Sequence, residues 1–107
     1  MKLLLDENLP RRLRWMFGEG YEVFTMQNMK WLGKKNGDLL GSMTLRGFDA
    51  LVTNDQSLPK QQNVARFPIK IFVLNSKSNR LEDIEPKLEK LRKLLQNLPD
   101  RQIFEIE

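Results

Sequence analysis

Residues 1–10 read Met1-Lys2-Leu3-Leu4-Leu5-Asp6-Glu7-Asn8-Leu9-Pro10. Three leucines stop abruptly at two acids and an amide, with a proline close behind. A run this short and apolar reads as a buried strand, so Asp6 and Glu7 stand where the chain leaves the core. Asn8 is a suitable cap for a following helix, and Pro10 suits a first turn, where its missing N–H costs nothing. Leu9, Leu13, Met16 and Phe17 recur at helical spacing, and Gly18 and Gly20 end that helix.

The same pattern repeats down the chain. Tyr21–Thr25 alternates and is rich in β-formers, which predicts a second strand. Residues 26–36 form a polar, lysine-bearing connection, followed by a helix from about Asp38 to Arg46 that Gly47 closes. Phe48–Thr53 reads as a third strand ending in Asn54-Asp55, and a short helix is expected over Pro59–Ala65. After Pro68 comes a fourth strand, Ile69–Leu74. Leu81, Ile84, Leu88, Leu91, Leu95 and Leu98 predict a long amphipathic helix, with Pro86 near its first turn and Pro99 as its stop. Arg101–Ile106 alternates as a last strand.

Strands and helices in strict alternation predict a three-layer α/β/α domain with a mostly parallel central sheet of about five strands. In the commonest order of such sheets, strands one and three lie side by side. Their carboxyl ends then open a single crevice, the usual ligand site.

Residues 1–107 form one domain, long enough for a single core. An apolar share of 40% with 30% charged residues describes a soluble globular chain. No apolar run approaches the ~20 residues that span a bilayer, and Lys2, Asp6 and Glu7 break up the start, so no membrane span or signal peptide is expected. The absence of cysteine fits a cytoplasmic setting. With neither Cys nor His in the chain, thiol nucleophiles, Ser-His triads, histidine bases and the usual zinc sites are excluded. Catalysis falls to carboxylates, Lys, Tyr, hydroxyls or a hard cation, with carboxylates and Mg²⁺ or Mn²⁺ the natural combination. Residues 1–80 carry a net charge of +6 and residues 81–107 a net of −2. A basic body suits a polyanionic partner, and equally suits a solvated surface with none.

Asp6 follows strand one, Asp55 follows strand three, and Asp38 ends the loop after strand two. All three are therefore expected at one sheet edge, where carboxylates repel unless a cation sits between them. Plainer roles exist for each: Asp6 or Glu7 as a helix cap, Asp38 as a first-turn acid with Asn36 as cap, and Asn54-Asp55 as an ordinary turn.

Three stretches, Met1–Leu13, Gly37-Asp38-Leu39-Leu40 and Ala50-Leu51-Val52-Thr53-Asn54-Asp55, resemble the compact PIN-like domains, relatives of the VapC-type toxin nucleases. The likeness covers roughly residues 1–75. It implies a metal-dependent endoribonuclease, often paired with an antitoxin, using Mg²⁺ or Mn²⁺ held by Asp6, Asp38 and Asp55. Glu7, Asn8, Thr53 and Asn54 are then supporting residues for a ligand or water. Related sequences often carry a further acid two residues after the last Asp, where this chain has Ser57. That departure leaves open a degraded, binding-only version of the domain.

For RNA, Arg11, Arg12 and Arg14 begin the first helix near the acids. Lys30, Trp31, Lys34 and Lys35 form a basic stretch with one aromatic for stacking. In the alternative, the arginines are a solvated face and Trp31 caps the core. Met26, Met29 and Trp31 are the candidates for a protein-partner surface, whether an antitoxin or a second copy in a homodimer. A different class also fits: receiver domains are similar in carrying an acidic pair after strand one and a phospho-accepting Asp after strand three, here Asp55. Ser76 would supply their hydroxyl after strand four. The segment Gln56–Pro68 is tight for their full helix, and their lysine after strand five is absent.

Overall fold

The computed structural model describes residues 1–61 and 63–107, with the backbone alone at Asn36. Five strands form one sheet: β1 (Lys2–Leu5), β2 (Glu22–Thr25), β3 (Ala50–Thr53), β4 (Lys70–Val73) and β5 (Ile103–Glu105). Their order is β2-β1-β3-β4-β5, and every neighbouring pair is parallel. The sheet is thus wholly parallel, where the sequence predicted a mostly parallel one. Strands β1 and β3 lie side by side, in register from Leu3 opposite Ala50 to Leu5 opposite Val52.

Strand alternation splits the core in two. Leu3 and Leu5 face one side with Ala50, Val52, Phe72 and Phe104, and meet Ile84, Leu88, Leu91 and Leu95 of the long helix Leu81–Gln96. Leu4 faces the other side with Leu51, Ile71 and Val73, and meets Leu39, Leu40 and Met43 of the helix Asn36–Leu45. Sequestering both faces of β1 explains why three consecutive leucines are tolerated, and they are all at most 1% exposed. The layers are helix, sheet, helix.

Two connections differ from the sequence expectation. Arg11–Trp15 is a 3₁₀ segment rather than an α-helix, with Pro10 at its N-cap and no side-chain cap from Asn8. No side-chain cap offsets the cost of nucleating an α-helix in the short stretch between Pro10 and Gly18. Its first turn also stacks arginines, with no acid, on the end of a helix that disfavours cations. Met16 caps the segment's end, and Gly18 follows with φ +88°, a conformation that suits glycine. Leu13 and Phe17 still reach the core, as their spacing predicted.

The connection after β2 opens with a short helix, α1 (Met26–Met29), where no structure was expected. Thr25 and Asn28 cap it reciprocally: Thr25 Oγ1 accepts from the Asn28 N–H at 3.1 Å, and Asn28 Oδ1 accepts from the Thr25 N–H at 2.9 Å. The next helix, α2 (Asn36–Leu45), begins with Lys35 at its N-cap, and Gly47 (φ +76°) follows its end. The Asn36 side chain, expected as the cap, lies outside the described residues. Where a helix is predicted over Pro59–Ala65, the described residues form two 3₁₀ turns, Leu58–Lys60 and Val64–Arg66, and Gln62 lies outside the described residues. Pro86 falls inside the long helix α3 (Leu81–Gln96), where it removes one backbone donor from the ladder. Among the described residues, no helix is long and apolar enough to cross a membrane.

Candidate functional site

Asp6 leaves the end of β1 with its N–H donating to the Val52 carbonyl at 2.9 Å, so its backbone still belongs to the sheet. Its carboxylate is half-buried and held on both oxygens: Oδ1 accepts from the Glu7 N–H at 2.8 Å, and Oδ2 accepts from Thr53 Oγ1 at 2.7 Å. Thr53 ends β3 and is fully buried. Its Oγ1 also accepts from the Asp55 N–H at 3.0 Å. One hydroxyl therefore ties the side chain at the end of β1 to the backbone that follows β3.

Asp55 is exposed, and its Oδ1 accepts two bonds from Ser57, from the N–H at 2.9 Å and from Oγ at 2.6 Å. Its Oδ2 accepts no hydrogen bond among the described residues. Ser57 thus orients the Asp55 carboxylate through two bonds to a single oxygen.

Asn54, between them, points toward the loop that follows β4. Its Nδ2 donates to the carbonyls of Ser76 and Ser78 and to Asn79 Oδ1, and its Oδ1 accepts from the Ser76 N–H at 2.8 Å. This clamp fixes the loop between β4 and α3. Ser78 Oγ donates onward to Asp83 Oδ2 at 2.5 Å, joining the loop to the first turn of α3.

Two hollows flank the acid pair, and Asp6, Asn8 and Asp55 line both. The first, about 410 Å³, is completed by Asn54 and the Ser76–Asn79 loop. The second, about 220 Å³, is completed by Glu7, Lys34, Lys35 and Gln61 among others. Cations stand on each flank, Lys77 on one side and Lys34 and Lys35 on the other. Ser76 is 6% exposed, and its Oγ has no partner among the described residues; Gln61 Oε1 is likewise buried and unpaired. A buried hydroxyl without a partner is costly to keep, and this one stands at the wall of a polar hollow. A larger hollow, about 570 Å³, lies at the amino end of the strands, lined by Asp49, Lys70 and Arg101, away from the acid pair.

Glu7 is half-buried, and its Oε1 accepts from the Gly33 N–H at 3.3 Å. Asp38 is separated from the pair: it is exposed in the first turn of α2 and lines neither hollow. Among the described residues, no three acids stand close enough to hold a metal between them. Of the three acids expected at one edge, Asp6 and Asp55 share both hollows, whereas in the first turn of α2 it is Leu39 that packs inward and lines the second hollow while Asp38 faces solvent. Asp6 and Asp55 with Asn8 remain a suitable oxygen set for Mg²⁺ or Mn²⁺, which need only one or two carboxylates when water and phosphate complete the shell.

The basic stretch divides as well. Lys34 and Lys35 reach the second hollow, whereas Lys30 caps α1 in a left-handed conformation and lines neither hollow at the acid pair. Trp31 is 8% exposed and packs on Phe48, with ring centroids 5.8 Å apart, so it cannot stack on a base. Met26 is fully buried and Met29 half-buried in the same cluster, which removes these three residues as an exposed partner surface. Arg11 and Arg12 are exposed and Arg14 half-buried, as a solvent-facing basic patch requires. The exposed tryptophan is instead Trp15, at 75%, which helical spacing did not single out. It lies on the side of the segment opposite Leu13, which is buried in the core.

No family model matches the chain, and no curated protein or solved structure proves similar to it.

Proposed function

We propose that this chain is a divalent-metal-dependent endoribonuclease of the PIN-like class, of the kind that serves as the toxin of a toxin-antitoxin pair. One observation carries the reading: Asp6 and Asp55 end neighbouring strands at the switch point of a parallel sheet and line the same two hollows, with cations on both flanks. Asp6 and Asp55 are the residues that would hold Mg²⁺ or Mn²⁺. The chemistry a bound cation supplies there is a water of lowered pKa and neutralisation of phosphate charge.

The chain's own groups have defined tasks in that reading. Thr53 and the Glu7 N–H fix the Asp6 carboxylate in one orientation, and Ser57 fixes Asp55 while leaving its Oδ2 free to bind. Lys34, Lys35 and Lys77 draw a phosphodiester toward the acids. Asn54 holds the Ser76–Asn79 loop in place as one wall of the first hollow. The test is incubation of a mixed single-stranded RNA pool with Mn²⁺, with Asp55→Ala and an EDTA control. Cleavage lost in both controls supports the reading. Intact RNA in all arms removes the nuclease and leaves a binding module.

A receiver-like phospho-acceptor is the second reading, favoured by the strand order, which receiver domains share, and by Ser76, which lines the same hollow as Asp55. Against it stand the 3₁₀ turns between β3 and β4, where such domains carry a full helix, and the lack of a lysine after β5. Treatment with acetyl phosphate decides: a phosphoryl adduct on Asp55 would establish it, and an unmodified mass would end it.

A further inference from the structure

A third hollow on the carboxyl side of the sheet plays no part in the chemistry above. It measures about 390 Å³ and is lined by Arg11, Arg12, Arg14 and Trp15 on one wall and by Thr25 and Asn28 on the other, with no carboxylate in its lining. The 3₁₀ pitch builds it. At three residues per turn, side chains three apart eclipse. Leu13 and Met16 form the inward ridge, packed on the core, while Arg11 with Arg14 and Arg12 with Trp15 form two outward ridges. Trp15 is 75% exposed, and the Arg14 guanidinium lies over one face of its ring, 4.4 Å from the centroid, leaving the other face open. None of the three arginines forms an ion pair with an acid among the described residues.

Its position relative to the acids follows from the sheet register. Thr25 pairs with Leu5, the residue before Asp6, so the hollow opens one strand from Asp6 on the same edge. Neighbouring strands are ~4.8 Å apart. A strand of nucleic acid lying along this edge would pass from the arginines to the acid pair.

We propose that this hollow is a base-stacking subsite for single-stranded RNA. Trp15 offers its π-face to a base, and Arg11, Arg12 and Arg14 hold the flanking phosphates. A flat aromatic ring beside unpaired guanidinium groups suits a chain of bases and phosphates, since every base has a face to stack and every phosphate a charge. A protein partner would also value an exposed tryptophan. Three uncompensated cations around it favour the polyanion. The assignment rests on the ribonuclease reading for its substrate, but binding does not need the metal.

The test is fluorescence anisotropy of a labelled oligouridylate with the full chain in EDTA, for wild type, Trp15→Ala and Trp15→Phe. The expected result is binding that Trp15→Ala weakens about tenfold and that Trp15→Phe largely keeps, because stacking follows the ring. Replacing Arg11 and Arg12 with Gln should flatten the salt dependence, by about 0.7 in slope for each phosphate no longer neutralised. Trp15→Ala binding as tightly as wild type would overturn the subsite. Failure of the wild type to bind would do the same and turn Trp15 toward a protein partner. Trp15-dependent binding without any Mn²⁺-dependent cleavage would uphold this subsite while removing the nuclease reading.

Discussion

Thr53 Oγ1 donates to Asp6 Oδ2 at 2.7 Å, and through the same oxygen it accepts from the Asp55 N–H at 3.0 Å. A single buried hydroxyl therefore couples the two acids that the sheet brings together. Thr53→Val keeps the side-chain shape and removes both bonds. It should cost about 1–3 kcal/mol, the range for stripping a partner from a buried or charged group, and urea denaturation would read it. Unchanged stability would mean that the acids are held in place by the backbone alone.

Asn54 acts as a two-way clamp, with its amide nitrogen facing two carbonyls and its oxygen facing an N–H. Asn54→Asp keeps the size but turns the donor into an acceptor opposite the carbonyls of Ser76 and Ser78. It should destabilise more than Asn54→Ala and raise amide exchange selectively over residues 76–79. Equal behaviour of the two variants would show that the clamp contributes little.

Ser76 predicts the opposite sign. Its Oγ is buried without a partner among the described residues, so Ser76→Ala removes an unsatisfied group and should leave stability within about 0.5 kcal/mol of wild type, or raise it. A destabilised Ser76→Ala would assign the hydroxyl a structural task instead.

These residues also mark how far the sequence could be read. The run Leu3-Leu4-Leu5, closed by Asp6, was enough to place β1 inside a parallel sheet, since only a strand covered on both faces buries three leucines in a row. The acids at the ends of β1 and β3 followed from topology. Asp38 could not be positioned in the same way, because a helix start has no register with the sheet and its first-turn acid can face solvent. For Trp31 the sequence left two roles open, stacking on a base and capping the core, and the fold takes the second. A loop was read where Thr25 and Asn28 cap a helix that draws Trp31 into the core. The Ser76–Asn79 wall was visible only through Asn54, whose partners lie more than twenty residues away.

The separation of Asp38 from the pair also makes a prediction about substitutions. Asp6→Ala and Asp55→Ala should each abolish Mn²⁺-dependent cleavage, while Asp38→Ala, altering an exposed acid outside both hollows, should retain it within about threefold, a difference of ~0.7 kcal/mol in barrier. Loss of cleavage in Asp38→Ala as complete as in Asp55→Ala would restore a three-acid site.

The most direct measurement is paramagnetic broadening of the amide spectrum by substoichiometric Mn²⁺. A cation held by Asp6 and Asp55 should broaden the amides of Glu7, Asn54, Asp55 and Gln56 first, and Asp55→Ala should abolish that pattern. Broadening centred instead on Asp38, or on Glu82 and Asp83 at the start of α3, would contradict the two-acid site.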